Sequence, residues 1–179
     1  MVSFTFHTPE NTSGKTQELL AGIRKGYGFV PNLFGYMAEA PTTVEAYLAL
    51  NELVSRTSLT PAQQQVALLA VSVANDCDFC TVAHRAMGKM KGASQQTLKA
   101  VSSHSAIDDP KDRALAEFAQ SVTEKRGRPS DTEVQAFLNA GFTKQQILEV
   151  ILIVSIKTLS NYINHLTHPE PNKELLEML

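Results

Sequence analysis

Two cysteines and a histidine at helical spacing are the residues of this sequence best suited to chemistry. Cys77 and Cys80 are the only cysteines of the chain, and His84 follows four positions after Cys80. Positions i, i+3 and i+7 of a helix share one face, so a helix here would align two thiols with one titratable imidazole. This spacing predicts thiol–disulfide chemistry with a proton acceptor at hand.

The residues alone leave open which thiol attacks first. At a helix start, free N–H groups and the helix dipole stabilise a thiolate, which would make Cys77 the more acidic thiol. His84 follows Cys80 by one turn and can exchange a proton with that thiol directly or through a water. The two arguments favour different nucleophiles.

Three kinds of site fit this motif. In a redox site, one thiolate attacks a peroxide or a disulfide, and the other resolves the sulfenic acid or mixed disulfide. A zinc site would use Cys77, Cys80 and His84, with His104 or His165 as a distant fourth ligand. In the third interpretation the cysteines are small buried hydrophobes. We favour the redox site, and we expect His165 either to cap a helix C-terminus or to reach the thiols.

Size and composition indicate one globular domain spanning residues 1–179. Of the 179 residues, 43% are hydrophobic and 19% charged, and the net charge is -2. The sequence has no block of like charges that would favour binding to nucleic acid or to an anionic membrane. The longest apolar run, Val150 to Val154, is too short to span a bilayer. The start of the sequence does not resemble a secretory signal, so we expect a reducing, cytoplasmic compartment.

The sequence has no Gly-rich phosphate loop, so we expect no organic cofactor.

The pattern of helix caps predicts an all-α fold. Helix starts are expected at Thr42, Thr60, Cys77, Ser94, Asp109, Ser130 and Thr143. Every start except Cys77 has a cap residue, several with proline at the first helical position or Glu or Gln three residues after the cap. Asn75 and Asp76 favour turns and should end one helix just before the cysteines. Val2, Phe4 and Phe6 alternate as in a strand, but no partner strand is evident.

Two segments hint at an internal duplication. Residues 60–79 align without gaps on residues 143–162, and both begin with Thr followed three positions later by Gln. Two copies would form a pseudo-symmetric pair of helical hairpins, although two buried, capped helices can also look alike by chance.

The segment from Leu59 to Gly92 resembles the AhpD-like alkylhydroperoxidase branch of the carboxymuconolactone decarboxylase family. The pattern is Leu-Thr-Pro, an apolar helix, and then Asn-Asp-Cys-Asp-Phe-Cys-Thr-Val-Ala-His at positions 75–84. Residues 28–32 and 160–165 are also similar to peroxidase-related members. The resemblance implies an AhpD-like helical fold with a duplicated hairpin unit, assembled as a homo-oligomeric trimer or hexamer.

The same resemblance implies a thiol-dependent hydroperoxide reductase that cycles a Cys77–Cys80 disulfide. Cys80 would be the peroxidatic thiol, Cys77 the resolving thiol that meets the reductant, and His84 part of a proton relay. The partners would be a hydroperoxide substrate and an external dithiol reductant, either a protein or a lipoyl-type group.

Gln65 departs from the family pattern. The family relay usually has Glu twelve residues before the first cysteine, and this chain has Gln65 there. Gln can hydrogen-bond, but it cannot accept a proton or stabilise a charged His84. We therefore expect slow peroxide reduction, and we expect Gln65→Glu to raise the rate of cysteine oxidation near neutral pH. Contact with the motif requires the turn at Asn75 and Asp76, because twelve residues of continuous helix span about 18 Å.

Two other functions were weighed against peroxide reduction. Lactone decarboxylation needs acid–base groups and no cysteine pair, so the CxxC motif argues against it. A non-catalytic helical oligomer could instead use its CxxC motif to sense redox state or to hold zinc.

Overall fold

The computed structural model describes residues 3–179, and this part of the chain is helical without a strand. Its helices are α1 Gly14–Tyr27, α2 Asn32–Met37, α3 Pro41–Ser55, α4 Pro61–Ala74, α5 Asp78–Met90, α6 Gln95–Ser102, α7 Pro110–Glu124, α8 Asp131–Asn139, α9 Lys144–Thr167 and α10 Lys173–Leu176. The prediction of an all-α fold is therefore confirmed for residues 3–179. Phe4 and Phe6 form no strand, and Val2 lies outside the described residues.

Most of the predicted helix starts are confirmed because local caps determine them. Thr60, Ser130 and Thr143 each form a complete capping box, and Ser94 and Asp109 cap through their side chains. The start predicted at Thr42 is wrong by two residues. Helix α3 begins at Pro41, with Ala40 as N-cap, because proline is preorganised for the first helical position.

Helix α4 lies at the centre of the fold. Its residues from Val66 to Val73 are all buried, and it packs against α5, α6, α7 and α9. Helix α9 is long and apolar enough to cross a membrane by length and composition alone. It packs against α2, α3, α4 and α7, as the core helix of a globular domain does. Helices α4 and α9 thus form the frame on which α5 and its cysteines are held.

The predicted break at Asn75 and Asp76 is a Schellman turn. Asp76 adopts a left-handed conformation with φ 52°, which Asp tolerates better than most residues. The N–H of Asp76 donates to the carbonyl of Val73 at 3.0 Å, and the N–H of Cys77 donates to that of Ser72 at 2.9 Å. This turn reverses the chain so that α5 packs back against α4.

The two segments that suggested a duplication differ at this turn. Residues 158–160 align with the turn at 75–77, but they continue α9 without a break. The two segments share their capped starts, and a duplicated hairpin stays a prediction.

The C-terminal segment returns to the cysteine helix. The Asn32 N–H donates to Asn172 Oδ1 at 2.7 Å, and Lys89 Nζ donates to the carbonyl of Met178 at 3.0 Å. Through these bonds the short helix α10 is held against α5. Its Leu175 is buried, whereas the neighbouring Leu176 is exposed.

Candidate active site

The two thiols lie at the start of α5 and share a hydrogen-bond donor from α9. Cys77 is the N-cap residue, so only Cys80 and His84 of the motif lie within the helix. Both cysteines are buried and reduced. Asn164 Nδ2 donates to Cys80 Sγ at 3.2 Å and to Cys77 Sγ at 3.6 Å. One amide therefore holds both sulfurs within reach of each other, as disulfide formation requires.

Cys80 is the more acidic of the two thiols. A hydrogen bond from Cys77, the nearby charge of Lys157 and the amide of Asn161 together lower the pKa of Cys80 to about 5, against the opposing effect of burial. The pKa of Cys77 is raised, because its proton is held in the bond to Cys80 and because burial disfavours the charged thiolate. The argument from the helix start, which made Cys77 the more acidic thiol, is therefore wrong.

Lys157 is a buried cation near Cys80 that the sequence analysis did not assign to the site. It is 1% exposed on α9, and its Nζ donates to Ser160 Oγ at 3.1 Å. No ion pair between residues 3 and 179 involves Lys157. A buried ammonium requires a compensating partner. The thiolate of Cys80 is the anion placed to provide it.

Cys80 opens into a cavity of about 80 Å³, here called the inner cavity. Its polar lining includes Gln65, His84 and Lys157 beside the thiol. The remaining walls are mostly apolar or aromatic and include Tyr27, Phe34, Tyr47, Leu68, Phe79, Met87 and Leu175. Tyr27 and Phe34 thus border the candidate site. The inner cavity can hold a small reacting group against the thiolate with little competing water.

Gln65 and His84 are in direct contact. His84 Nδ1 donates to Gln65 Oε1 at 3.0 Å, which leaves Nε2 as the proton-accepting nitrogen. The pKa of His84 lies well below its usual value, because the ring is buried and Lys157 is nearby. His84 is therefore neutral at pH 7. The structure brings Gln65 into contact with His84, whereas the role of either residue in a proton relay stays a prediction.

Cys77 opens on the opposite side, into a surface groove of about 590 Å³, here called the outer groove. Phe79 lines both spaces. The walls of the outer groove also include Asp76, Asp78, Asn164, His165, His168, Pro169, Glu170 and Pro171. His165 therefore borders the same groove as Cys77, and its ring stacks on Tyr162 with centroids 6.0 Å apart. The two sulfurs thus touch each other while each faces a different space.

The geometry adds nothing in favour of the zinc alternative. Between residues 3 and 179, no group of three or more Cys, His, Asp or Glu side chains is arranged to hold a metal ion. His84 faces the inner cavity and Cys77 the outer groove, so these two candidate ligands are directed apart.

Sequence reasoning missed the contribution of α9. Asn164 donates to both thiols, and Lys157 and Asn161 lie close enough to Cys80 to lower its pKa. A signal was present, because Lys157 is the one charged residue between Val150 and Asn164 in an apolar part of α9, and buried charges in such a setting are usually functional or paired.

Solved structures support the fold over nearly the whole chain. An uncharacterised peroxidase-related protein with an alkylhydroperoxidase AhpD core, from Ralstonia eutropha JMP134, has a TM-score of 0.85 at 23% identity, covering 96% of this chain and 93% of that protein. A peroxidase-related protein from Silicibacter sp. TM1040 has a TM-score of 0.76 at 20% identity, covering 90% of this chain and 86% of its own.

A third similar structure belongs to a different kind of enzyme. A cysteine-to-alanine variant of the debrominase Bmp8, in complex with 2,3,4-tribromopyrrole, has a TM-score of 0.79 at 14% identity, covering 99% of this chain and 96% of that one. At this level of identity the likeness concerns the fold. No curated protein sequence matches the chain.

The sequence also matches a family model. Residues 41–109 match the model of the carboxymuconolactone decarboxylase family, and this stretch contains α4, the turn and the cysteine helix α5. The AhpD-like fold extends over the remaining helices. Residues 41–109 are therefore similar to the carboxymuconolactone decarboxylase family, and the chain has an AhpD-like fold.

Proposed function

We propose that this protein is a thiol peroxidase that reduces hydroperoxides by cycling a Cys77–Cys80 disulfide. The observation that carries the proposal is an acidic Cys80 thiol at a small cavity, in contact with a second thiol that retains its proton. A thiolate is the nucleophile in peroxide reduction, and a nearby thiol is needed to resolve the product.

In the first step, the Cys80 thiolate attacks the terminal oxygen of the hydroperoxide and breaks the O–O bond. Cys80 becomes a sulfenic acid, and the departing alkoxide or hydroxide takes up a proton. The buried ammonium of Lys157 can stabilise the negative charge, which lies on the Cys80 sulfur before the oxygen transfer and on the departing oxygen after it. His84 Nε2 can accept and return a proton in the inner cavity, directly or through a water.

In the second step, the sulfur of Cys77 attacks the sulfur of Cys80. The S–O bond breaks, the disulfide forms, and the proton from Cys77 leaves with the hydroxyl as water. The bond between the two thiols and the shared amide of Asn164 favour this step, because the reacting atoms are already in contact.

In the third step, an external dithiol reduces the disulfide by thiol–disulfide exchange. We propose that the reductant, a protein or a lipoyl-type group, attacks Cys77 from the outer groove, since that sulfur lines the open space. The overall reaction converts one hydroperoxide and one dithiol into an alcohol, water and a disulfide. Such a cycle needs reduced thiols at rest and suits a reducing compartment such as the cytoplasm.

The first test is the intact mass and free-thiol count of the reduced, metal-free protein before and after one equivalent of hydroperoxide. We expect the loss of both thiols and of about 2 Da, and we expect Cys80→Ser to abolish the change. Thiols that stay unreactive in a folded sample would overturn the proposal.

A second candidate is reductive dehalogenation of a small aromatic ring. It is favoured by one observation, a thiolate in a cavity walled by Phe34, Tyr47 and Phe79, where an aromatic ring can stack. The balanced reaction turns an aryl bromide and two thiols into the arene, bromide, a proton and the disulfide. Bromide release from 2,3,4-tribromopyrrole, the molecule bound by the Bmp8 variant, tests this candidate.

Homo-oligomerisation is also part of the proposal. Leu148, Ile151, Tyr162 and Leu166 of α9 are exposed by 71%, 39%, 56% and 66%, respectively. Their spacing places them along one side of the helix. An exposed apolar stripe of this kind is typical of a contact surface. We propose that a second copy of the chain covers it, in a trimer or hexamer.

A further inference from the structure

A second apolar space adjoins the inner cavity. It has a volume of about 500 Å³ and is called the vestibule here. Phe29, Val54, Met87, Met90 and Met178 contribute apolar or thioether groups to its walls. Methionine side chains adapt to irregular apolar ligands, because they are flexible and polarizable.

The vestibule and the inner cavity are separated by a common wall. The residues that border both spaces are Tyr27, Asn51, Gln65, Leu68, Met87 and Leu175. A molecule that passes this wall from the vestibule reaches the space that contains Cys80, His84 and Lys157. The vestibule therefore adjoins the space that contains the reacting centre, with only these six side chains between them.

Among the residues of this wall, Leu175 belongs to the shortest helix. It is 5% exposed and belongs to α10, which has only four residues. The segment is fastened by the contacts of Asn172 with Asn32 and of Lys89 with Met178. Leu175 can thus be changed with little effect on the central helices α4 and α9.

We propose that the vestibule binds the apolar tail of an organic hydroperoxide whose peroxide group lies at Cys80, and that Leu175 sets the size of the tail that can pass. The inner cavity, at about 80 Å³, has room for a peroxide group and a few carbons. A longer alkyl chain must continue into the vestibule, where burial of its methylene groups stabilises the complex. This inference rests on the proposed peroxidase function and names the site of the tail and the residue that selects it.

Single-turnover oxidation of the reduced protein tests the proposal with a matched pair of variants. Leu175→Ala widens the common wall, and Leu176→Ala makes the same change at the adjacent residue, which is 50% exposed. The measured quantity is the rate constant of thiol loss with a straight-chain alkyl hydroperoxide divided by the rate constant with hydrogen peroxide. We expect Leu175→Ala to change this ratio by roughly tenfold. We expect Leu176→Ala to leave the ratio unchanged. An equal ratio in all three proteins would overturn the proposal.

A binding measurement separates this inference from the proposed function. The straight-chain alcohol, which is the reaction product, is titrated calorimetrically into the Cys80→Ser protein and its Leu175→Trp derivative. We expect binding that Leu175→Trp weakens and Leu176→Trp does not. Thiol oxidation by hydrogen peroxide without any alcohol binding would overturn the tail site and leave the peroxidase standing. Alcohol binding in a protein whose thiols resist every peroxide would overturn the peroxidase instead.

Discussion

Gln65 Oε1 accepts a hydrogen bond from His84 Nδ1 at 3.0 Å. This contact fixes the ring and its tautomer, but it provides no negative charge to balance a protonated imidazole. Burial keeps the pKa of His84 low, so the ring is a weak proton acceptor at neutral pH. The amide thus orients His84 without activating it.

The first prediction is that Gln65→Glu speeds cysteine oxidation by hydroperoxide near pH 7. A carboxylate at this position raises the pKa of His84, so that more of the imidazolium is present to protonate the leaving alkoxide. We expect a gain of roughly tenfold or more in the single-turnover rate constant. Gln63→Glu is the matched control, since it adds the same charge to α4 at a capping-box position that tolerates Glu. An unchanged rate in folded Gln65→Glu protein would remove Gln65 from the relay.

The second prediction concerns the titration of Cys80. Thiolate absorbance of the reduced protein should have its midpoint near pH 5, because the pKa of Cys80 is lowered to about 5. Since this is below the unfolded value of about 8.5, ionisation of Cys80 contributes its full stabilisation above that pH, and the contribution is lost as the pH falls to about 5. A midpoint near pH 8 in the folded protein would contradict the assignment of Cys80 as the resting thiolate.

A pair of variants at Cys77 tests the main cause of that shift. Cys77→Ser keeps a hydroxyl that can donate to the thiolate, whereas Cys77→Ala leaves no donor. We expect the midpoint to stay low in Cys77→Ser and to rise by about one to two pH units in Cys77→Ala, as for the loss of a hydrogen bond to a charged group. Equal midpoints in the two variants would show that other groups set the acidity of Cys80.

The third prediction concerns the exposed side of α9. We expect the protein to be oligomeric in solution and the double change Leu148→Lys, Leu166→Lys to dissociate it, because charges cannot be buried unpaired in an apolar contact. Sedimentation equilibrium gives the mass directly. Leu53→Lys is the control, as this side chain is 44% exposed on a different helix. A monomeric parent protein would show that the stripe is not an interface between copies.

Sequence reasoning predicted the features of this protein that depend on residues close together in the sequence. The capping boxes and the turn at Asn75 and Asp76 follow from hydrogen bonds within a few positions. The contact of Gln65 with His84 came from the family resemblance together with that turn. The roles of Lys157 and Asn164 could not be obtained in this way, because they depend on which side of α9 meets α5 in the packed core.

The separation of the two sulfurs also required the structure. Spacing alone suggested that Cys77 and Cys80 share one helix face, but Cys77 is the N-cap and turns toward the outer groove. Backbone conformation at a helix start changes within one residue, and a periodicity argument does not include it.

The last prediction is that Lys157→Met removes the Cys80 thiolate without unfolding the protein. Methionine fills a similar volume, and replacing a buried charge by an apolar group often costs little stability. We expect the Cys80 titration midpoint to rise and the rate of thiol oxidation at pH 7 to fall by roughly tenfold or more, since the thiolate loses its buried counter-charge. Lys144→Met, at the first residue of the same helix, removes an equal charge away from the thiols and should change neither quantity. If Lys157→Met unfolds, its effect on the thiol cannot be measured in that variant, and Lys157→Gln then serves, because the amide keeps a donor while removing the charge. A stable, uncharged variant with an unshifted midpoint would show that Lys157 is a structural residue and that Cys77, Asn161 and Asn164 suffice to hold the thiolate.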